Sequence, residues 1–253
     1  MVSEKIDWGA IDFGAVDSDA QLELFRRSRE SLAEDLYRPA YHFSPPGAAL
    51  HDAAGLCFWG GKFHLFYLLT TPTIKWTRGH AVSEDLVHWR DMPIVGSGIH
   101  GGTGQVWSDE GRVVLGYATH SHKAVSLATA SDPLLQDWVE HPKNPVFTPT
   151  PPRSVDPKHF GTADNYIWRE EDTYYMTIRQ YWYDTEFPIL TGTAALEICR
   201  SDDLENWESM GLLSNDGHFT EPGEDCACNS FLPLGNGKHL LLFFSTNDPL
   251  NTT

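Results

Sequence analysis

The sequence predicts an all-β fold, a β-propeller built of four-stranded blades. Three observations point to it. A Ser-Asp turn leading to a Trp recurs three times, at Ser83–Trp89 (SEDLVHW), Ser131–Trp138 (SDPLLQDW) and Ser201–Trp207 (SDDLENW). A short apolar run precedes each of these turns: His80–Val82, Ala124–Ala128 and Ala194–Cys199. Aromatic-rich runs of strand length also come in pairs, joined by Gly or polar turns. Hairpin, third strand, Ser-Asp turn and Trp-led outer strand together make a four-stranded unit. Repetition of such a unit is the mark of blades packed around a channel. A sandwich has no need of the same turn three times.

In chain order, residues 1–37 are acidic and form an N-terminal helical extension. Ser18-Asp19 suits a helix start, and Leu22, Phe25, Leu32 and Leu36 roughly follow helical spacing. This helix is expected to lie on the main domain, residues 38–253. The first hairpin pairs Leu56–Trp59 with Phe63–Leu69 across Gly60-Gly61. The second pairs Gly104–Trp107 with Arg112–Ala118, and the third Asn165–Trp168 with Thr173–Gln180. The fourth pairs Ser230–Leu234 with His239–Ser245 across Gly235–Lys238. Three units are complete and the fourth has only its hairpin, about three and a half blades. The terminal blades of a partial ring have uncovered faces. A further C-terminal segment, or a homo-oligomer of copies, is therefore expected to complete it.

A length of 253 residues suffices for one large all-β domain or two small ones. With 35 acids against 18 bases, the net charge is −17. Such a field repels phosphate backbones and anionic lipid, so nucleic acid and membrane surfaces are not expected partners. Neutral ligands such as sugars are unaffected. No apolar run approaches the roughly 18 residues that span a bilayer. The start MVSEKIDWGAIDFG lacks the basic and apolar regions of a secretory signal, so a cytoplasmic location is expected. Cys57 and Cys199 fall in strand-like runs and read as buried thiols. Cys226-Ala227-Cys228 is too tight for a CxxC signature and has no partner pair. The twelve histidines form no HxxxH or HExxH motif, so neither a disulfide framework nor a zinc site is expected.

One acid stands just ahead of the first hairpin. Asp52 lies in His51-Asp52-Ala53-Ala54-Gly55, read as a loop of small residues. Such an acid either caps its own turn or faces a ligand, and local sequence leaves both readings open.

The stretch Arg38–Trp89 resembles the start of glycoside hydrolase family 32, the invertases, inulinases and levanases. That pattern runs RP-x-HF-x-P, WMNDPNG, G-x-YHLFYQ and WGHAVS-x-DL-x-HW. Here it is carried by Arg38-Pro39, His42–Pro45, His51–Gly55, Lys62–Tyr67 and Gly79–Trp89. The likeness continues through Trp138, Asn144–Phe147 and Cys199–Trp207. The resemblance implies a five-bladed propeller, usually followed by a β-sandwich. It also implies a retaining enzyme of β-fructofuranosides (sucrose, fructo-oligosaccharide or fructan) that needs no metal or cofactor. Its alternatives are a carbohydrate-binding propeller without catalysis and a related furanosidase or transferase, such as an arabinofuranosidase.

The resemblance assigns roles to residues. Asp52 matches the nucleophile, the carboxylate that traps the oxocarbenium-like centre covalently. A second carboxyl group, about 5–5.5 Å away in such enzymes, protonates the leaving oxygen and later activates water. Asp164 matches the acid of an Arg-Asp-Pro motif that holds sugar hydroxyls and stabilises the transition state, with Ala163 and Asn165 replacing its neighbours. Val155-Asp156-Pro157 lies too far from the following strand to fill that place. The acid/base motif is Glu-Cys-Pro-Asp before Phe-Phe-Pro-Leu. Aligning Phe231–Leu234 without gaps puts Ala227 on the Glu and Cys228 on the Cys. Glu224, in the loop just before, is therefore assigned as acid/base, with Asp225 second; Asp225 is also a substrate-binding candidate. His51, Trp76 and Thr103 complete the substrate-binding set. Trp59 and Trp107 either stack on sugar or belong to inter-blade core.

Overall fold

The computed structural model describes residues 16–39, 41–46, 49–70, 77–95, 99, 104–119, 121–182, 193–214 and 226–244. One helix and fourteen strands are formed among them. Helix α1 spans Ser18–Ser31, and the Asp17 carboxylate accepts the Ala20 N–H at its start. The helix thus begins at the expected place, but Asp17 rather than Ser18 is the cap. It also stops five residues short of Leu36, whose side chain is exposed. Its inner face is Gln21, Phe25 and Ser28. Arg29 anchors it, pairing with Asp91 at 2.7 Å and donating to the Ser44 carbonyl at 3.1 Å.

The four-stranded unit expected from the repeats is present three times. The first sheet has the order β1 (Ala49–Trp59), β2 (Lys62–Thr70), β3 (Thr77–Ser83), β4 (Trp89–Met92). The second runs β5 (Val106–Asp109), β6 (Arg112–Ala118), β7 (Val125–Ala130), β8 (Val139–Glu140). In the third, β9 (Phe160–Glu170), β10 (Thr173–Trp182), β11 (Thr193–Ser201) and β12 (Glu208–Ser214) follow in the same sequence. A hairpin of β13 (Ala227–Gly235) and β14 (Lys238–Phe244) forms a separate two-stranded sheet. β1 and β9 are longer than expected, because Asp52 and Asp164 lie inside them rather than ahead of them.

The chain divides into two compact units, residues 1–100, 108–114 and 129–139, and residues 101–107, 115–128 and 140–253. In the first, Tyr67, Leu69 and Ala81 form a buried cluster with Phe43, Leu65, Trp89 and Ile94 around it. In the second, Ala194, Leu196 and Cys226 are covered by Tyr181, Leu213, Leu241 and Phe243. Cys57 and Cys199 are buried thiols, as expected. Desolvation pushes the Cys57 thiol up to about 12, which keeps it protonated and unreactive.

The recurring Ser-Asp turn is a self-contained hydrogen-bond device. In the first sheet, Ser83 Oγ accepts the Leu86 N–H at 2.9 Å and Asp85 Oδ1 accepts those of Val87 and His88 at 2.9 and 2.7 Å. The Leu86 backbone turns left-handed (φ 66°), and its carbonyl accepts the Trp89 indole N–H at 3.1 Å. The third sheet repeats this with Ser201, Asp203, Leu204 (φ 65°) and Trp207. Donors convergent on one carboxylate favour its charged form: hydrogen bonds, the His88 ring foremost, hold Asp85 well below the usual carboxylate range. In the second sheet the loop is one residue longer, and Asp132 alone caps Leu134, Gln136 and Asp137 before Trp138. Trp89 opens β4, and Trp138 and Trp207 immediately precede β8 and β12.

A buried histidine pair crosses the first sheet. His64 Nδ1 and His80 Nε2 are 3.0 Å apart, and both side chains are fully buried. The Trp59 carbonyl can only accept, at 3.2 Å from His64 Nε2, so His64 Nε2 carries a proton. His64 Nδ1 then accepts from His80 Nε2–H, and His80 Nδ1 accepts from the Gln136 amide at 3.1 Å. Every partner is satisfied only while both rings are neutral. Desolvation, with the neighbouring His64 second, pushes His80 down to about 3. Because the unfolded chain binds this proton near pH 6.5 and the folded chain does not, the pair stabilises the fold above that pH and loses this contribution as pH falls toward 3. In urea titrations, the stability advantage of wild type over His80→Asn is expected to narrow by on the order of 2 kcal/mol between about pH 7.5 and about pH 4.5. A gap that does not change with pH would remove the histidine pair as the cause.

Candidate active site

First strands carry His51, Asp52 and Asp164, and a shared irregularity places them. In β9 the register passes from Tyr166↔Thr177 to Ala163↔Arg179, so Asp164 and Asn165 stand opposite the single residue Ile178. In β13 it passes from Ser230↔Leu242 to Ala227↔Phe244, so Cys228 and Asn229 stand opposite Phe243. In β1 it passes from Leu50↔Leu69 to Ala53↔Tyr67, so His51 and Asp52 stand opposite Leu68. These are two-for-one β-bulges, which leave a residue unpaired and re-aim its side chain. Asp164 and Cys228 both take left-handed backbone, each with φ 51°.

The Asp164 surroundings are built within the second unit. Its side chain is buried, 5 % exposed. Its Oδ2 accepts the Cys228 N–H at 3.1 Å and lies 3.5 Å from the Arg179 guanidinium. The Asn229 amide donates to the Asp164 carbonyl, and the Thr177 hydroxyl donates to Asn229 Oδ1 at 2.6 Å. Asp164 is thus held by side chain and backbone from both β10 and β13. Ala163, where the motif has Arg, is the register partner of Arg179, so a guanidinium reaches the carboxylate from the neighbouring strand instead. This residue was not singled out from the sequence. The signal that could have found it is a single charged residue, an Arg, inside the strand run Thr173–Trp182.

Beside it, Asn165 is 3 % exposed, and neither its Oδ1 nor its Nδ2 has a hydrogen-bond partner among the described residues. The amide fits only because position 116 is glycine: a Cβ there would stand 2.2 Å from Asn165 Nδ2. Asp156, by contrast, accepts the Lys158 N–H at 2.9 Å and caps the 3-10 turn Pro157–His159.

Asp52 belongs to the first unit and is exposed on β1. The expected small-residue loop is instead a strand with consecutive bulges at His51-Asp52 and Ala54-Gly55, on either side of the Ala53–Tyr67 pair. His51 lies beside it, with Nε2 2.8 Å from the Thr70 hydroxyl across the hairpin. The geometry brings Asp164 together with Cys228 and Asn229 and sets His51 next to Asp52. Glu224, Asp225, Trp76 and Thr103 lie outside the described residues. Glu224 and Asp225 precede Cys228 by four and three positions in the chain. Trp59 and Trp107 have structural surroundings: the Trp59 indole donates to the Asp132 carbonyl at 3.1 Å, and Trp107 meets the Tyr174 ring edge-on at 5.7 Å. No group of metal-ligating side chains occurs among the described residues.

Residues 42–251 match the model of the glycosyl hydrolases family 32 N-terminal domain. The chain belongs to glycosyl hydrolase family 32. Within this family it is 28 % identical to an acid beta-fructofuranosidase of Vicia faba over 214 residues, 78 % of this chain and 31 % of that protein. A vacuolar acid beta-fructofuranosidase of Arabidopsis thaliana is 30 % identical over 229 residues, 84 % of this chain and 32 % of the relative. The family 32 chain thus spans about a third of the length of the curated relatives it matches. Among solved structures, a family 32 beta-fructofuranosidase of Bombyx mori superposes with a TM-score of 0.66 at 24 % identity, covering 89 % of this chain and 48 % of the other. The likeness shows the fold: the four-stranded sheets are blades of a partial propeller.

Two substitutions test the polar construction around Asp164. Asn165→Leu removes an unpartnered buried amide at similar volume, and its melting midpoint is expected to equal or exceed that of wild type in calorimetry. Thr177→Val leaves Asn229 Oδ1 without its hydroxyl and is expected to lower stability by about 1–3 kcal/mol in urea titration.

Proposed function

We propose that this family 32 chain provides the catalytic residues of a retaining glycoside hydrolase acting on β-fructofuranosides. Asp52 is the nucleophile, Asp164 the transition-state stabiliser and Glu224 the acid/base, with Asp225 as the second choice for that last role. The observation that carries the reading is the buried Asp164 carboxylate, held by Arg179 and the Cys228 N–H on a bulged strand. A protein keeps a buried charge only at a cost, and an acid so fixed suits a site that must meet developing positive charge on a sugar ring. The relatives are named beta-fructofuranosidases, and a neutral sugar fits a chain of net charge −17.

In this mechanism Asp52 attacks the anomeric carbon while the acid/base protonates the departing oxygen, giving a fructosyl ester on Asp52. Water, activated by the same acid/base, then releases fructose and restores both carboxyl groups. Replacement of water by a sugar hydroxyl would give transfer. A second reading is a sugar-binding propeller without catalysis. It is favoured by Ala227, which opens β13 at the position aligned with the motif's Glu.

The test is product release from sucrose, inulin, levan and arabinofuranosides, followed by chromatography that separates free fructose from transfer products. Wild type is expected to release fructose from at least one β-fructofuranoside. Asp52→Ala, Asp164→Asn and Glu224→Gln are each expected to lose about a hundredfold or more in kcat. Equal backgrounds from wild type and Asp52→Ala on every sugar, with saturable sugar binding by calorimetry, would establish the binding reading instead.

A further inference from the structure

We infer that Arg179 is the positioning cation of this site, fixing the charge and direction of the Asp164 carboxylate from the adjacent strand. The inference rests on the assignment of Asp164 to catalysis. Three features of the second unit carry it. Arg179 is itself largely buried, with 14 % of its side chain exposed, yet its guanidinium stands 3.5 Å from Asp164 Oδ2. The two residues sit on opposite sides of the β9 bulge, where Arg179 pairs with Ala163 and Asp164 is unpaired in the ladder. Ala163, with only a methyl side chain, stands directly opposite Arg179 in that register.

The guanidinium is also held from below. It lies over the Tyr181 ring, 4.6 Å from the centroid, two residues along β10 on the same face. Tyr181 in turn lies flat across β9 at Gly161, its register partner. A Cβ at 161 would stand 2.3 Å from the ring, so this stack requires glycine there. Gly161, Tyr181, Arg179 and Asp164 therefore form a ladder from the start of β9 to the carboxylate. The Cys228 N–H fixes the same oxygen from β13. A planar guanidinium seated on a ring loses little freedom when it pairs, which makes it a directing group as well as a counter-charge. It acts through Asp164, holding that carboxylate ionised in a buried setting and aimed where its bulge points it.

Arg179→Gln and Arg179→Lys, compared with wild type on the best β-fructofuranoside, test this. Arg179→Gln is expected to lower kcat about 10–100-fold with little change in KM, and to move the acid limb of kcat to higher pH, because an uncompensated Asp164 takes a proton more readily. Arg179→Lys is expected to restore the acid limb and part of kcat. Wild-type kcat and acid limb in Arg179→Gln would overturn the assignment. If circular dichroism shows Arg179→Gln unfolded, Arg179→Lys decides: a reduced kcat supports the role, and an unchanged kcat overturns it. If wild type cleaves none of the sugars, the enzymatic reading fails by itself. The carboxyl-carbon NMR titration of Asp164, assigned with Asp164→Asn, then reads Arg179 directly. A higher titration midpoint in the folded variant than in wild type supports the pairing, and an equal midpoint overturns it.

Discussion

The two-for-one bulge in the first strand of a sheet is the constraint on which the candidate site depends. A regular strand alternates its side chains strictly between faces. One extra residue breaks the alternation and frees a side chain from the ladder. That break falls at His51-Asp52, at Asp164-Asn165 and at Cys228-Asn229. The left-handed backbone of Asp164 and Cys228 carries a steric cost that surrounding contacts must offset. At Asp164 those contacts are visible: the Asn229 amide on its carbonyl, the Cys228 N–H and Arg179 on its carboxylate.

The outer half of each blade is organised by a different and local device. Ser and Asp side chains satisfy the N–H groups of their own turn, and the following Trp donates back to it. No long-range contact is needed for the turn to form, only for the Trp ring to be covered. Inward of it, the His64–His80 pair joins β2 to β3 with both rings neutral, and Gln136 beside the second Ser-Asp turn closes the chain of hydrogen bonds. Irregular pairing also occurs in the outer strand β12, opposite Leu196–Cys199, but the bulges that carry Asp52 and Asp164 fall in first strands.

The legible parts of this protein were those with short-range causes. Gly60-Gly61, Gly111 and Asn236-Gly237 announce their hairpins because positive φ is needed there. The Ser-Asp-Trp repeats gave the four-stranded unit before any strand pairing was known. Helix α1 was legible in existence but not in length, since Leu32 and Leu36 keep the spacing after Ser31 ends the hydrogen-bonded run. The bulges were not legible. His51-Asp52-Ala53 reads as a loop because its residues are small and polar, and only pairing with β2 turns it into strand.

By itself, the sequence determined the blade repeat and the family and singled out Asp52 and Asp164 as candidates, because motifs and turns depend on residues close in the chain. Only the tertiary structure decided what surrounds Asp164. Arg179 is fifteen positions away in sequence, and Cys228 and Asn229 are more than sixty away. They meet it because antiparallel register and the approach of β13 to β9 bring them there. A lone charged residue in a strand and an alanine in a motif are separate oddities in a linear reading. Across a ladder they are register partners, and the guanidinium missing from one strand is supplied by the next.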